Sequence, residues 1–462
     1  MRIVRGLLVA ATVVCVTACV GPNYKRPAFD ASAAYKEQNG WKPSEPNDAL
    51  DRGRWWEIFH DEVLNGLEAQ IDISNQTVKA AAAAVEQSRA LVRQARAQYW
   101  PSVSVNASRQ RTVTADNPPK TLNSAGIGGS WDIDLWGKIR RSTESNLASL
   151  QAGEALLASA RLAAQAELAT DYFELRGQDQ LQVILNDIVA AEQQSLKITE
   201  NRYRVGVAAK ADVVSAQTQL LSSQAQQANA PLQRAILEHA IAVLVGQQPA
   251  NFSIAPAAMR TDVPTVPAGV PSTLLERRPD VAQAERQVAA ANAQIGVAIS
   301  AFFPDLTITG SDDYQGDTIG HLIRTANRVW AIGPTVALSV FDAGLRRAQV
   351  AQARAAYEQS VDNYRETVLA SLQQVEDSIV TLRVLEQSAA IEDATVKAAR
   401  EAETLTLNQY KAGTVPYSSV ITAQTTRLNS EVSALNVLSS RLQASVGLIQ
   451  ALGGGWKATE LK

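Results

Sequence analysis

The longest regular pattern of apolar and polar positions lies in residues 345–412, which contain neither glycine nor proline. Apolar side chains recur there every three or four positions, close to the α-helical period. They are Tyr357, Val361, Tyr364, Val368, Leu372, Val375, Ile379 and Leu382. At 1.5 Å per residue, this predicted helix would extend about 100 Å. Residues 138–205 are its counterpart, with Gly153 and Gly177 as weak points.

Each long helix is predicted to end at a glycine turn, Val205-Gly206-Val207 in one case and Ala412-Gly413-Thr414 in the other. Glycine supplies the positive φ that a helix C-cap requires. Return helices are predicted over residues 211–245 and 418–452. The pattern therefore indicates two long helical hairpins.

Four short stretches alternate polar and apolar residues, which is typical of strands with one apolar face. The pattern predicts strands at about 102–114, 124–136, 304–315 and 331–342. Polar links that contain proline or glycine, at 116–119 and 312–320, are interpreted as loops. Shorter helices at 65–98 and 280–301 precede the two strand pairs.

The chain repeats itself. Tyr203–Gly206 matches Tyr410–Gly413 at an offset of 207, and the aromatic-proline steps that end at Pro101 and Pro304 match at an offset of 203. The predicted organisation is an N-terminal segment, a first repeat, a linker, a second repeat and a tail, at 19–64, 65–250, 251–279, 280–454 and 455–462. Each repeat would hold a strand pair followed by a long helical hairpin.

Residues 1–18 have the layout of a secretory signal peptide, with Arg2 and Arg5 before an apolar run. The run ends in Val-Thr-Ala-Cys and resembles a bacterial lipobox, so Cys19 is predicted to become the acylated first residue. An ordinary signal peptidase site is the alternative. Val20 follows the cysteine where lipoproteins kept in the inner membrane usually carry Asp, which favours the outer membrane.

Composition narrows the class of protein. The 76 alanines, with 5% aromatic and 19% charged residues, favour long, closely packed helices over several globular cores. A net charge of −3 gives no electrostatic footprint for nucleic acid. The sequence carries no Walker loop, HExxH or GxSxG motif, and its three histidines are scattered. An enzyme is therefore disfavoured, and neither a metal nor a cofactor other than the Cys19 lipid is predicted.

Several motifs together resemble the TolC/NodT-type outer membrane factor family, in its efflux lipoprotein branch. The motifs are Cys19–Tyr24 with Pro27, Trp55–Phe59, Leu274–Val281, Ala284-Glu285, Ile295-Gly296 and Phe303-Pro304. The most specific part is Arg278-Pro279-Asp280, to which, with Pro101 and Pro304, we assign structural roles.

The resemblance implies a mainly α protein with a membrane β-barrel portion. Three protomers would form a twelve-stranded barrel in the outer membrane that continues into a periplasmic α-helical barrel. This tube would be the exit duct of a tripartite efflux pump, joined by a periplasmic adaptor to an inner-membrane RND-type transporter. A type I protein secretion duct of the same fold, and a periplasmic adaptor lipoprotein, are the alternatives.

The resemblance also places a gate where the helical hairpins turn. The candidate gate residues are Tyr203, Arg204, Asp212, Ser215, Tyr410, Lys411, Tyr417, Ser418 and Thr422. The alternatives are that Arg204 and Lys411 offset the dipoles of their helices and that Tyr203 and Tyr410 are packing anchors. The turns Val205-Gly206-Val207 and Ala412-Gly413-Thr414 would contact the adaptor. Many relatives carry an acidic residue where this chain has Thr422, which leaves its gate strength and ion selectivity open.

Overall fold

The computed structural model describes residues 20–29, 34–38, 52–115, 117–264, 266 and 277–455. These residues form seven α-helices and four β-strands. The helices are α1 Glu62–Ser74, α2 Gln76–Ala97, α3 Lys138–Arg204, α4 Lys210–Leu244, α5 Pro279–Ser300, α6 Leu345–Ala412 and α7 Tyr417–Ala451; the strands are β1 Ser102–Thr114, β2 Asn117–Ile133, β3 Asp305–Gly316 and β4 Arg328–Ala337. The predicted signal peptide 1–18, the lipidation site Cys19, much of the linker 251–279 and nearly all of the tail 455–462 lie outside the described residues.

The chain divides into two compact units. The first comprises Met1–Phe29, Ala83–Ala155 and Ala282–Thr367, and the second comprises Asp30–Ala82, Leu156–Val281 and Val368–Lys462. The first unit contains the strands, and the second contains the turns of both hairpins. No helix of the described segments is both long and apolar enough to cross a bilayer.

The four strands form one antiparallel sheet in chain order, β1-β2-β3-β4. Strands β2 and β3 each pair on both sides, whereas β1 and β4 each pair on one side only within the described residues. Every residue of β1 is solvent-exposed in the single chain. The sheet therefore has two open edges and little burial of its own.

Three of the four strands have bounds that differ from the prediction; β2 also ends earlier, at Ile133, and β4 also begins earlier, at Arg328. β2 begins at Asn117, so that the predicted loop at 116–119 is largely strand. Its prolines lie next to a shift of register between Thr112 and Thr114 of β1 and outside the pairing with β3, where proline is tolerated. β3 extends to Gly316, into the predicted loop at 312–320. β4 ends at Ala337 because its partner there, Asp305, is the first residue of β3.

The single helix predicted over 65–98 is wrong, because Asn75 divides it into α1 and α2. The Asn75 backbone is extended (φ −61°, ψ 124°). Its side chain donates to the Leu244 carbonyl (2.8 Å) and accepts from the Val78 amide (3.0 Å). Asn75 therefore caps the start of α2 and satisfies a carbonyl at the end of α4. α1 also begins earlier than expected, since Asp61 accepts from the first-turn amides of Val63 and Leu64.

The main hydrophobic core belongs to the second unit. It combines α1, the middle of α3 and the ends of α4 and α7 with aromatic side chains of the N-terminal segment. Phe59 packs against Phe173 with ring centroids 4.8 Å apart, and Tyr172 is almost fully buried. This core fixes the ends of both hairpins that lie opposite their glycine turns.

In the first unit, Arg141 holds the segment that follows the predicted lipidation site. Its guanidinium donates to the carbonyls of Val20 (3.2 Å) and Gly21 (3.2 Å) and to Asn23 Oδ1 (3.0 Å). The Val20 amide donates to the Trp136 carbonyl (3.2 Å), three residues beyond the end of β2. The segment that begins at Val20 is thus tied to the junction of strand and helix.

Glu68 on α1 is fully buried, and neither of its carboxylate oxygens has a hydrogen-bond partner among the described residues. Burial, with a smaller effect from Asp72, raises its pKa from 4.5 to about 9. The folded protein therefore binds a proton that the unfolded chain releases between these two values. We expect the thermal unfolding midpoint to fall as the pH rises from about 5 to about 8, and the Glu68→Gln variant to lose this slope. Equal slopes in both proteins would contradict a buried, neutral Glu68.

Candidate functional site at the helical turns

Both glycine turns close their helices with the same backbone hydrogen bonds. In the first, the Val207 amide donates to the Arg202 carbonyl (2.8 Å) and the Gly206 amide to the Tyr203 carbonyl (2.9 Å). In the second, Thr414 donates to Gln409 (3.0 Å) and Gly413 to Tyr410 (2.9 Å). This is the Schellman motif, which needs a left-handed residue after the helix. Gly206 and Gly413 supply it with φ of 78° and 81°.

Beside the turns, four buried side chains form what we call the tip cluster: Ala216, Tyr410, Tyr417 and Val420. The two tyrosine rings meet edge to face, with centroids 5.2 Å apart. The Tyr410 hydroxyl lies 3.4 Å from Thr199 Oγ1 on α3. Burial raises the pKa of Tyr417, and nearby Glu192 raises it further. Since α4, α6 and α7 all contribute, the cluster joins the two hairpins.

Arg202 is a further residue of this site that was not among the candidates. Its guanidinium donates to the Lys411 carbonyl (2.7 Å) at the end of α6 and lies 4.7 Å from the centre of the Tyr410 ring. It therefore caps a carbonyl of the second hairpin from the last turn of the first. The sequence signal was only a second basic residue in that turn, beside Arg204. Spacing alone does not tell which of the two faces the neighbouring hairpin.

The candidate gate residues separate into two groups. Tyr410 and Tyr417 are buried in the tip cluster, and Asp212 is half-buried in the first turn of α4. The exposed candidates are Tyr203, Arg204, Ser215, Lys411, Ser418 and Thr422. Tyr203 and Tyr410 occupy matching positions in the two repeats, but Tyr203 is 46% exposed and Tyr410 only 3%. The repeats are therefore not equivalent at the turns.

Thr422, where the resemblance implies an acidic residue in many relatives, forms a hydrogen bond within its own helix. The Thr422 hydroxyl donates to the Ser418 carbonyl of its own helix (3.1 Å). Both residues are exposed in the single chain. The turn residues of the two predicted adaptor contacts are exposed as well, with Val205 at 72% and Val207 at 63%.

The Arg278-Pro279-Asp280 motif lies elsewhere in the second unit, at the start of α5. Arg278 donates to both Asp280 oxygens (2.9 and 2.5 Å), to Gln374 Oε1 on α6 (2.8 Å) and to the Ala451 carbonyl at the end of α7 (3.0 Å). A Cβ on Gly453 would lie 2.0 Å from the Arg277 carbonyl oxygen, so the two backbones approach closely. The motif thus fastens the linker to the second hairpin.

Pro101 and Pro304 lie in the first unit, each immediately before a strand. The Pro304 carbonyl accepts from the Trp136 indole nitrogen (2.8 Å), and this ring stacks on Phe303 with centroids 4.7 Å apart. The Trp131 indole donates to the Tyr99 carbonyl (2.9 Å). These aromatic side chains hold the corners between helix and strand.

We expect Arg202→Ala to weaken the second turn by about 2 kcal/mol, because it removes a charge-assisted hydrogen bond and a cation–π contact. Hydrogen exchange at the Gly413 and Thr414 amides should become faster. The matched control is Arg204→Ala, which removes an exposed arginine of the same turn. Equal exchange rates in the two variants would contradict a capping role for Arg202.

The known proteins that this chain resembles are outer membrane proteins of efflux or export. The model of the family described as outer membrane efflux protein matches residues 69–247 and 270–454. The pyoverdine export outer membrane protein OpmQ of Pseudomonas aeruginosa is 30% identical over 467 residues, covering 96% of each chain. The probable efflux pump outer membrane protein TtgC of Pseudomonas putida is 28% identical over 449 residues, covering 94% of this chain and 92% of its own.

The fold agrees with solved structures. The outer-membrane channel OprN superposes with a TM-score of 0.88 at 28% identity, covering 95% of this chain and 99% of its own. The fold of two long hairpins and a four-stranded sheet is thus shared along nearly the whole chain. The chain belongs to the outer membrane efflux protein family, and the protein is an outer membrane channel of the efflux type.

Proposed function

We propose that three copies of this protein form the exit duct of a tripartite efflux pump. The observation that carries the proposal is the four-stranded sheet, whose edges β1 and β4 are open in one chain. In lipid, backbone donors and acceptors at such edges must be paired. Four strands are too few for a membrane barrel, whereas three copies give twelve. Pairing β4 of one copy with β1 of the next would close the barrel.

The turn end of the hairpins is the proposed periplasmic gate and adaptor contact. Exposed Val205 and Val207 offer apolar surface beside a rigid Schellman turn. A periplasmic adaptor would bind this surface and the second turn at Gly413. An RND-type transporter in the inner membrane would supply the energy. The duct itself would conduct passively and catalyse no bond chemistry.

The lipid anchor is proposed at Cys19. Val20, the residue after it, is tied by hydrogen bonds to Trp136 and Arg141, next to the end of β2. An acyl chain on the preceding residue would therefore start close to the junction of strand and helix. Strands of a barrel leave the bilayer at such a junction, which suits membrane insertion of the lipid.

Small molecules are the proposed cargo. The relatives are named for efflux pumps and for pyoverdine export. The transporter, rather than the duct, would select among drugs, solvents or siderophores.

The proposal is tested in a strain that lacks its own efflux channel and retains a compatible adaptor and transporter. Expression of the protein should lower the accumulation of a fluorescent efflux substrate several-fold. The Cys19→Ser variant should weaken this effect and leave the protein unlabelled by radioactive palmitate. Undiminished accumulation with the protein present in the outer membrane would overturn efflux, and export of a protein substrate instead would favour type I secretion.

Asp212 and Arg204 remain the charged gate candidates of the first turn. We expect Asp212→Ala and Arg204→Ala to raise single-channel conductance in planar bilayers, because each removes a charge that symmetry repeats around a narrow pore. Ser222→Ala, at an exposed position of α4 on the same hairpin that is not a gate candidate, is the neutral comparison. Conductance equal to that of the wild type in both charge variants would exclude them from the gate.

A further inference from the structure

Polar side chains form a buried layer between the two hairpins, on the side of the tip cluster that is farther from the glycine turns. On α3, Glu192, Ser195 and Thr199 follow one another at helical spacing and are 2%, 1% and 0% exposed. Ser223 on α4 and Gln424 on α7 face the same region and are 0% and 1% exposed. We call these five residues the polar layer.

Apolar packing continues on both sides of this layer. Farther from the turns, Leu185, Ile188, Ala230 and Leu428 form a small buried cluster. Nearer to the turns lies the tip cluster around Tyr410 and Tyr417. The two hairpins are thus held by two apolar contacts with polar groups between them.

Three atoms of the polar layer lack a hydrogen-bond partner among the described residues: Glu192 Oε2, Ser223 Oγ and Gln424 Oε1. The Ser223 hydroxyl lies near the Glu192 carboxylate and favours its charged form, but the two groups fall outside hydrogen-bonding geometry. Burial of unpaired polar atoms destabilises the packed arrangement. Water that entered the layer would satisfy all three atoms.

At the polar layer, the bonds within each hairpin are stronger than those that cross from one hairpin to the other. Within the second, Arg427 donates to Glu403 (2.8 Å) and Glu431 (3.0 Å). Within the first, Gln219 donates to the Glu192 carboxylate (2.9 Å).

Across the layer, Gln424 donates to Ser195 Oγ (3.0 Å), a bond between neutral groups. The contact of Tyr410 with Thr199 is long, at 3.4 Å. Since charge-assisted bonds are the stronger class, the contact between the hairpins is weaker at the polar layer than the bonds within either hairpin. The charge-assisted bond that does cross, from Arg202 to the Lys411 carbonyl, lies nearer to the turns.

We propose that the polar layer is the place where the two hairpins of one chain separate when the gate opens, with Glu192, Ser223 and Gln424 taking up water. These residues act as positioning residues that set how readily the turn end opens. The inference rests on the proposed function, because it assigns a role within that gate.

The charge of Glu192 gives the layer a pH dependence. Burial raises the pKa of this carboxyl. The hydrogen bond from Gln219 opposes this shift, whereas nearby Glu403 adds to it. Charging Glu192 therefore destabilises the packed layer, so opening should increase as the pH rises above the ordinary Glu value of 4.5. The titratable groups that interact with Glu192 are Glu403 of α6 and Tyr417 of α7. Arg427 of α7 pairs with Glu403 and Glu431, and Gln219 and Ser223 of α4 are uncharged.

The test uses the purified full-length channel in planar bilayers, without adaptor, and records the fraction of time spent open. Ser223→Ala removes an unpaired hydroxyl and should lower the open fraction about tenfold. Ser371→Ala is the matched control, because Ser371 is equally buried but donates to the Val368 carbonyl of its own helix (2.7 Å). It should behave as the wild type.

Glu192→Gln is the second variant, and it keeps the shape of the side chain without the charge. Its open fraction should be low and should not change between about pH 5 and about pH 8, whereas that of the wild type should rise. Either variant suffices if the other fails to assemble. If the assembled variants open and respond to pH as the wild type does, the proposed role of the polar layer is wrong, but the proposed function as an exit duct is unaffected. A wild-type protein that forms no channel would instead overturn the proposed function.

Discussion

Replacing both turn glycines with valine should abolish efflux. Gly206 and Gly413 have φ of 78° and 81°, a conformation that costs an L-residue about 1 to 2 kcal/mol and a β-branched one more. A Cβ on Gly206 would meet no atom within 4 Å, so the cost there is conformational and not steric. At Gly413 the added atom would also approach Arg202 Nη2, at 3.5 Å. Loss of the turn would disorder both the gate and the proposed adaptor surface.

The measurement is drug tolerance of the complemented efflux-deficient strain, with the amount of protein in the outer membrane checked by immunoblot. Gly447→Ala is the control, because Gly447 lies within α7 and has open space around it. We expect the control strain to keep full tolerance. Full tolerance in the doubly substituted strain would contradict a role for the turns in docking or gating.

Arg278→Ala should cause the largest loss of stability, about 3 kcal/mol. The buried guanidinium is the common partner of Asp280, Gln374 and the Ala451 carbonyl. Its removal leaves a carboxylate without its counter-ion and a helix-end carbonyl unpaired. The linker would then detach from the end of α7.

Thermal unfolding of the purified protein measures this effect. Arg277→Ala is the neighbouring control, since the Arg277 side chain makes no hydrogen bond with the described residues. Arg278→Lys should recover part of the stability, because a single ammonium cannot reach all three partners at once. An unfolding midpoint for Arg278→Ala equal to that of Arg277→Ala would refute the fastening role.

The sequence predicts the elements whose cause is local. The long helices follow from an uninterrupted period of three to four, and the turns follow from Gly206 and Gly413, whose positive φ the structure contains. The break at Asn75 was missed because it depends on the Leu244 carbonyl, which is distant in sequence, as well as on the local cap at the Val78 amide. The end of β4 was misplaced for a similar reason, since it depends on where β3 begins.

In the candidate site too, the sequence predicts what has a local cause and misses what depends on packing between distant segments. The internal repeat of the sequence located the turns, but it made Tyr203 and Tyr410 equivalent positions. Only the packing of one hairpin on the other separates them, burying Tyr410 under Arg202 and leaving Tyr203 exposed. The polar layer was not found either, because Glu192, Ser223 and Gln424 are ordinary residues on three different helices.

The central claim is that three copies of this chain form one conducting tube. The most direct test joins native mass spectrometry of the detergent-extracted protein to single-channel recording of the same sample. We expect one species of three acylated chains that inserts with discrete, uniform conductance steps. A stable monomer or dimer that carries the same conductance, or a trimer that conducts nothing under any condition, would contradict it.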